Sequence, residues 1–175
     1  MMFLPLALLA IQDVPPADVD WDKEFGVEER VRDPETGEFP VDPYEQDNDN
    51  AGARQFAGSA MARHFGGQDG IRRIAARTVD LSREDPRIAE IFAAHDMIRL
   101  KRTLFEQFFF ILNAGCDYTG RDMAAAHNGM GVRKRDMNAL VENLQQAMRE
   151  QDVPFAAQNR FLAKLAPMSR DIIQR

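Results

Sequence analysis

The chain has 175 residues, of which 45% are hydrophobic and 29% charged, a composition typical of one globular domain and unlike disordered or fibrous proteins. A net charge of −6 argues against nucleic-acid binding, and a single cysteine excludes an intrachain disulfide framework. The longest apolar run, residues 1–11, is shorter than the roughly 20 residues that cross a bilayer, so we expect no integral membrane span.

Residues 1–12 resemble the apolar core of a secretory signal, with Ala10 as a small residue before a cleavage point. The basic residues that usually precede such a core are missing, because the first Lys or Arg is Lys23. We expect an exported or periplasmic protein, and a cytoplasmic location is the alternative.

Residues 13–55 are strongly acidic, with 14 Asp or Glu against four Lys or Arg, and they hold five of the nine prolines. They contain few large apolar side chains, so they cannot bury enough surface to offset the entropy of ordering. The sequence predicts an acidic, Pro-rich linker or arm here, able to lie against a globular domain formed by residues 56–175.

From about residue 56 onward, apolar residues recur at spacings of three and four, and no period-two alternation appears, which predicts an all-α domain. A first long helix follows Gly66-Gly67, and Asp85-Pro86 begins a short segment that runs through Phe92. Asp96 caps the next helix, whose end should be buried on most sides. The apolar stripe of that helix is Met97, Leu100, Leu104, Phe108 and Ile111, widened by Phe105, Phe109 and Leu112.

Three further helices are expected. The first is short, spans Arg121–Asn128, and carries Met123 and His127 on one face because they are four residues apart. The next has the stripe Met137, Leu140, Val141, Leu144 and Met148. The last starts at Val153-Pro154 and breaks near Pro167.

His127 is the candidate for chemistry. Small residues, alanines 124–126, precede it and would let a flat group approach the helix closely. One histidine that faces an apolar slot suits axial ligation of haem iron. On periodicity alone, a core histidine bonded to the backbone is the alternative.

Residues 63–173 resemble the truncated haemoglobins of group I. The resemblance is carried by Phe65-Gly66-Gly67, Asp85-Pro86-Arg87, Phe92, the segment Asp96 to Lys101, the segment Tyr118-Thr119-Gly120 to His127, and Val153-Pro154. It implies a two-over-two helical sandwich around haem b, with the acidic N-terminal extension outside it.

The resemblance also implies roles for individual residues. His127 matches the iron ligand, whose other ring nitrogen should donate to a backbone carbonyl near Met123, and Lys101 matches a basic position near a haem propionate. The remaining haem-contacting positions are Val79, Phe92, Met97, Leu100, Leu104, Phe108 and Met123.

The distal side, where a gas would bind, departs from the family. Val79 stands where a Tyr is usual, Leu104 where a Gln is frequent, and Leu100 lies over the iron, so no matched position offers a hydrogen-bond donor. The polar residues nearby are Thr78, Thr103 and Gln107. Of these, Gln107 is expected to face solvent or a propionate.

The sequence therefore predicts a haem globin that reversibly binds O₂, CO or NO at a five-coordinate iron with a largely apolar distal pocket. Nitric oxide dioxygenation is a conceivable side activity that would need a reductase, which the sequence does not identify. The alternative is a helical interaction module on the same scaffold, without haem, whose acidic arm recruits a partner.

Overall fold

Residues 24–26 and 30–174 are described by the computed structural model, and within them the chain is helical with no β-strand, which confirms the all-α prediction. The α-helices of this part are α1 Ala60–His64, α2 Gly67–Glu84, α3 Ala89–Ala93, α4 Met97–Ile111, α5 Met123–His127, α6 Lys134–Glu150, α7 Phe155–Leu165 and α8 Ser169–Ile172. Two 3₁₀ turns, Asn48–Ala51 and Ala166–Met168, accompany them. None of these helices is long and apolar enough to cross a bilayer. The signal-like residues 1–12 lie outside the described part.

The first two helices meet at Gly70. A Cβ atom at this position would lie 2.0 Å from the carbonyl oxygen of Phe65, so only glycine fits. Gly66, at the start of α2, has φ of 76°, a left-handed conformation that favours glycine. The two glycines let the chain reverse sharply into α2, the helix that packs against both α4 and α6.

The two ends of α4 differ in burial. Residues Gln107–Ile111 are all buried, as predicted for a helix end buried on most sides, whereas none of residues 97–106 is fully buried. Phe108 meets the ring of Phe161 edge to face at 5.1 Å, and Phe65 contacts the same ring at 5.0 Å. The core therefore holds the C-terminal third of α4, and the rest of the helix lies at the edge of the domain.

The buried face of α6 is rotated relative to the predicted stripe. Small or polar residues, Ala139, Asn143 and Ala147, are buried beside Leu144 and Met148, while three predicted apolar residues stay half-exposed. Those three are Met137, Leu140 and Val141. The reason is the close packing of α6 on α2, where the Asn143 amide donates to Ser82 Oγ and to Asp85 Oδ2, both at 3.3 Å.

Residues 32–55 of the acidic segment belong to the same structural unit as the helices. They form a turn in which Gly37 N donates to Asp33 O, continue without regular secondary structure, and enter the 3₁₀ turn, whose Ala51 is fully buried. Between the two turns, the Tyr44 hydroxyl donates to Thr119 O at 2.8 Å. This part of the acidic segment thus packs on the helical domain along α4 and the loop before α5.

Candidate functional site

The short helix α5 is fixed at its start by two contacts. The Asp122 carboxylate caps it by accepting a hydrogen bond from Ala125 N at 2.9 Å. Met123 points into the core, where its sulfur lies 3.3 Å from the amide nitrogen of Gln107. A five-residue helix is not stable alone, so these anchors set the direction in which its last residue, His127, projects.

His127 makes the hydrogen bond that the sequence predicts. Its Nδ1 lies 2.7 Å from Met123 O, one turn earlier in α5. A carbonyl oxygen only accepts, so Nδ1 carries the proton and Nε2 carries the lone pair. Within the described part of the chain, Nε2 has no hydrogen-bond partner, which leaves it available as a ligand atom.

The surroundings of His127 favour its neutral form. Burial lowers the pKa of His127 below 6.5; the hydrogen bond to Met123 opposes this shift, and the nearby charge of His95 adds to it. Neutral imidazole is the form that binds metal ions, because protonation consumes the lone pair. His95 itself is exposed and lies between α3 and α4.

A second clamp holds the C-terminal end of α5. Gln174 Nε2 donates to His127 O at 2.7 Å, and Gln174 Oε1 accepts from Gly131 N at 2.8 Å. The backbone N–H of Gln174 donates to Val132 O at 2.9 Å. Sequence reasoning missed this residue, because no local pattern connects it to a histidine 47 positions earlier.

The predicted haem-contacting residues divide into two groups in the structure. Val79, Phe108 and Met123 are buried in the protein. The others are half-exposed and lie on α3, on the first two-thirds of α4 and at the end of α5: Phe92, Met97, Leu100, Lys101, Leu104 and His127. The structure therefore leaves accessible an apolar set, with one histidine, that could receive a large flat apolar group.

Lys101 already has a partner. Its Nζ lies 2.7 Å from Asp80 Oδ1, and both side chains are more than a third exposed. The pair joins α4 to α2 directly beside Leu100 and Val79, two of the predicted distal residues. An ion pair this exposed contributes little stability by itself.

The three polar residues near the distal positions are all engaged with backbone carbonyls. Thr78 Oγ1 donates to Ile74 O at 2.8 Å, and Thr103 Oγ1 donates to Arg99 O at 3.0 Å. Gln107 Nε2 donates to Ala51 O at 2.9 Å. The expectation that Gln107 faces solvent or a propionate is wrong: its side chain is buried because it satisfies the backbone of the acidic segment. None of the three is a free donor.

Sequence reasoning also missed Glu38. In the acidic segment this carboxylate is buried against α4, where it pairs with Arg99 and Arg102.

The model of the Bacterial-like globin family matches residues 60–174, about two-thirds of the chain. The match begins at α1 and includes every helix from α1 to α8. Among curated proteins, none matches the sequence significantly.

Solved structures of similar fold agree with that match. Truncated hemoglobin from Tetrahymena pyriformis, in its Fe(III) form, is 21% identical with a TM-score of 0.63, over 66% of this chain and 98% of that one. The 2/2 hemoglobin from Synechococcus sp. PCC 7002, in the cyanomet state with covalently attached heme, is 19% identical with a TM-score of 0.60, over the same shares. The helical domain thus has the truncated globin fold.

Proposed function

Because this chain belongs to the bacterial-like globin family, we propose that it binds haem b through His127 and takes up diatomic gases on the opposite face of that group. The observation that carries the proposal is the His127 side chain, with Nδ1–H held by Met123 O and Nε2 left without a partner. This tautomer presents the lone pair of Nε2, the form of imidazole that binds iron. The heme attached to the 2/2 hemoglobin of the same fold supports the proposal.

The residues present fit such a group. Haem bound at Nε2 would supply an iron with one open coordination position for a gas. His127 would hold the iron in a fixed orientation, since Asp122 caps α5 at one end and Gln174 clamps the other. The half-exposed apolar side chains of α4, among them Met97 and Leu100, would exclude water from the haem face.

The distal residues suit apolar ligands. Val79, Leu100 and Leu104 carry no donor, and the neighbouring polar side chains are engaged elsewhere. We therefore propose that the protein is a group I truncated haemoglobin and that it retains CO far better than O₂. This favours gas sensing or scavenging over O₂ storage, and it makes nitric oxide dioxygenation, with its reductase, a minor activity.

We also propose that the protein is exported, on the basis of the apolar residues 1–12. The test is fractionation of cells expressing the full chain. Protein of full length in the cytoplasmic fraction alone would contradict export.

The test of function is the visible spectrum of the purified protein. We expect a Soret band as isolated or after haemin addition, and a shift when the reduced protein takes up CO. His127→Gly should abolish this spectrum, and added imidazole should restore it by occupying the space of the lost side chain. His95→Gly is the matched control and should behave like the unmutated protein.

Two outcomes would contradict the proposal. A colourless protein that takes up no added haemin would favour the interaction module. An unchanged CO spectrum in His127→Gly without imidazole would place the iron on another residue.

A further inference from the structure

We propose that Glu38, in the acidic segment outside the family match, is a positioning residue that holds the gas-binding side of α4 in place. The inference rests on the proposed function, because α4 has a gas-binding side only if Leu100 and Leu104 are distal residues of a haem site. It goes beyond that function by assigning a role to residues that precede the globin domain.

Glu38 is the one acidic residue that is fully buried in the described part of the chain, with 5% of its surface exposed. A carboxylate is buried this deeply in proteins only when it is paired. Its partners are Arg99 and Arg102, both on α4. Glu38 Oε2 lies 3.1 Å from a terminal nitrogen of each arginine, and Oε1 accepts a second, shorter bond from Arg102 Nε.

The partners depend on Glu38 for neutralisation. Arg99 otherwise donates only to Phe39 O, at 2.8 Å, and its Nε is buried without a hydrogen-bond partner among the described groups. Arg102 also donates to Glu106 Oε1 at 2.8 Å and to Thr119 Oγ1 at 2.7 Å. Without Glu38, two guanidinium groups one turn apart would keep only one carboxylate, Glu106, which contacts Arg102, and they would repel each other.

A neighbouring contact fixes the first turn of the same helix. Asp96, the cap of α4, accepts from Phe39 N at 2.7 Å, from Arg32 Nη1 at 3.1 Å and from Ile98 N at 3.1 Å. Residues 32–39 therefore bind α4 at its cap and along its first two turns.

These polar contacts matter because packing holds this part of α4 less firmly than its C-terminal end, although Leu104 and Phe105 contact the core. Its fully buried residues begin at Gln107, and residues 97–106 are all half-exposed or exposed. A helical segment with few buried apolar contacts opens easily unless other interactions hold it. Leu100 and Leu104 lie in this segment. In the sequence, Leu100 stands between the two arginines that Glu38 binds, and Leu104 follows them.

The network also reaches the proximal side. Thr119 Oγ1 donates to Glu106 Oε2 at 2.6 Å, so the loop before α5 is joined to the same carboxylate that Arg102 contacts. Glu38 thus stabilises α4 relative to the loop that leads to His127.

The test compares Glu38→Gln with Glu35→Gln by hydrogen–deuterium exchange, with no requirement for haem. Glu35 is an exposed acidic residue on the same turn, so its change removes the same charge without touching α4. Glu38→Gln should accelerate exchange of the α4 amides in residues 100–106 by about ten- to a hundredfold, the effect of losing charge-assisted hydrogen bonds. Glu35→Gln should not, and the α6 and α7 amides should be unchanged in both variants.

In the haem-loaded protein, Glu38→Gln should also change the CO association rate, and Glu35→Gln should leave it at the unmutated value. If Glu38→Gln does not fold, Arg102→Lys replaces it: it keeps the charge, loses the paired geometry, and should raise exchange in the same amides by a smaller factor.

Three results would overturn the proposal: exchange equal in the two glutamine variants, faster exchange spread over all helices, or identical CO association rates. Failure of the unmutated protein to take up haemin is a different result. That result would contradict the proposed function. The hydrogen–deuterium exchange experiment would still show whether Glu38 holds α4.

Discussion

Replacing Val79 with tyrosine tests the claim that the distal side lacks a hydrogen-bond donor. A donor to bound O₂ contributes about 1.5–3 kcal/mol when the bond is charge-assisted, which corresponds to about ten- to a hundredfold in affinity. The tyrosine hydroxyl should therefore slow O₂ release by one to two orders of magnitude. CO is less polar, and its release should change far less.

The structure explains why no existing side chain supplies this bond. Gln107 is the most plausible substitute, but its amide donates to Ala51 O inside the protein. Turning it toward a ligand would leave that carbonyl unsatisfied, at a cost of about 1–3 kcal/mol. The cost is as large as the gain, so Gln107 stays where it is and the unmutated protein should release O₂ quickly.

Stopped-flow mixing of the O₂-saturated protein with CO measures the release rate. Val79→Phe is the matched control, because Val79 is almost fully buried and either ring introduces similar bulk, with a similar overpacking cost of about 1–3 kcal/mol in stability. Equal slowing by phenylalanine and tyrosine would show that bulk, not the hydroxyl, controls release. Slow release from the unmutated protein would show that a donor already reaches the ligand.

Three further measurements address other parts of the chain. The pKa of His127 is lowered from 6.5 on folding, so the unfolded chain binds the proton first and stability should fall as pH drops from about 6.5 toward the folded pKa. His127→Gln should make the urea midpoint less dependent on pH over this range. A pH dependence equal to that of the unmutated protein would contradict the lowered pKa. Partial burial raises the pKa of the Cys116 thiol to about 11. At about pH 8, iodoacetamide should therefore modify it roughly two orders of magnitude more slowly than free cysteine, and a rate near that of free cysteine would refute the raised pKa. Gly70→Ala should lower the free energy of unfolding by about 1–3 kcal/mol, because the new Cβ would lie 2.0 Å from Phe65 O. An unaltered urea midpoint would disprove this close contact.

The helices were predictable where large apolar residues set the pattern. The stripe ending at Phe108 and Ile111 predicted α4 and its enclosed C-terminal end, and the spacing of Met123 and His127 predicted the face of α5. The face of α6 was not predictable, because Ala139, Asn143 and Ala147 are buried for their small size or their hydrogen bonds, which hydrophobic spacing does not record.

The sequence predicted the histidine of the candidate site, but it did not predict the residues that hold the site in place. Spacing and resemblance identified His127 and its bond to Met123 O, since both lie within one helical turn. The Gln174 clamp and the Glu38 network join residues tens of positions apart, and such pairings leave no trace in local sequence. In the sequence, nothing distinguishes Glu38 from the other carboxylates of the acidic segment. Only the structure shows that two arginines of α4 bind it.

The contact between Gln107 and Ala51 also bears on where this domain starts. The stretch that relatives share begins at residue 60, yet Ala51 is fully buried and accepts the only hydrogen bond that Gln107 makes to oxygen in the described part of the chain. A fragment that began at residue 60 would expose a groove along α4. The Gln107 amide and the cationic side chains of Arg99 and Arg102 would lie on its walls. Residues 32–55 fill that groove as a tethered intramolecular ligand would, so the compact structural unit, which begins at Arg32, is longer than the stretch that matches the family model.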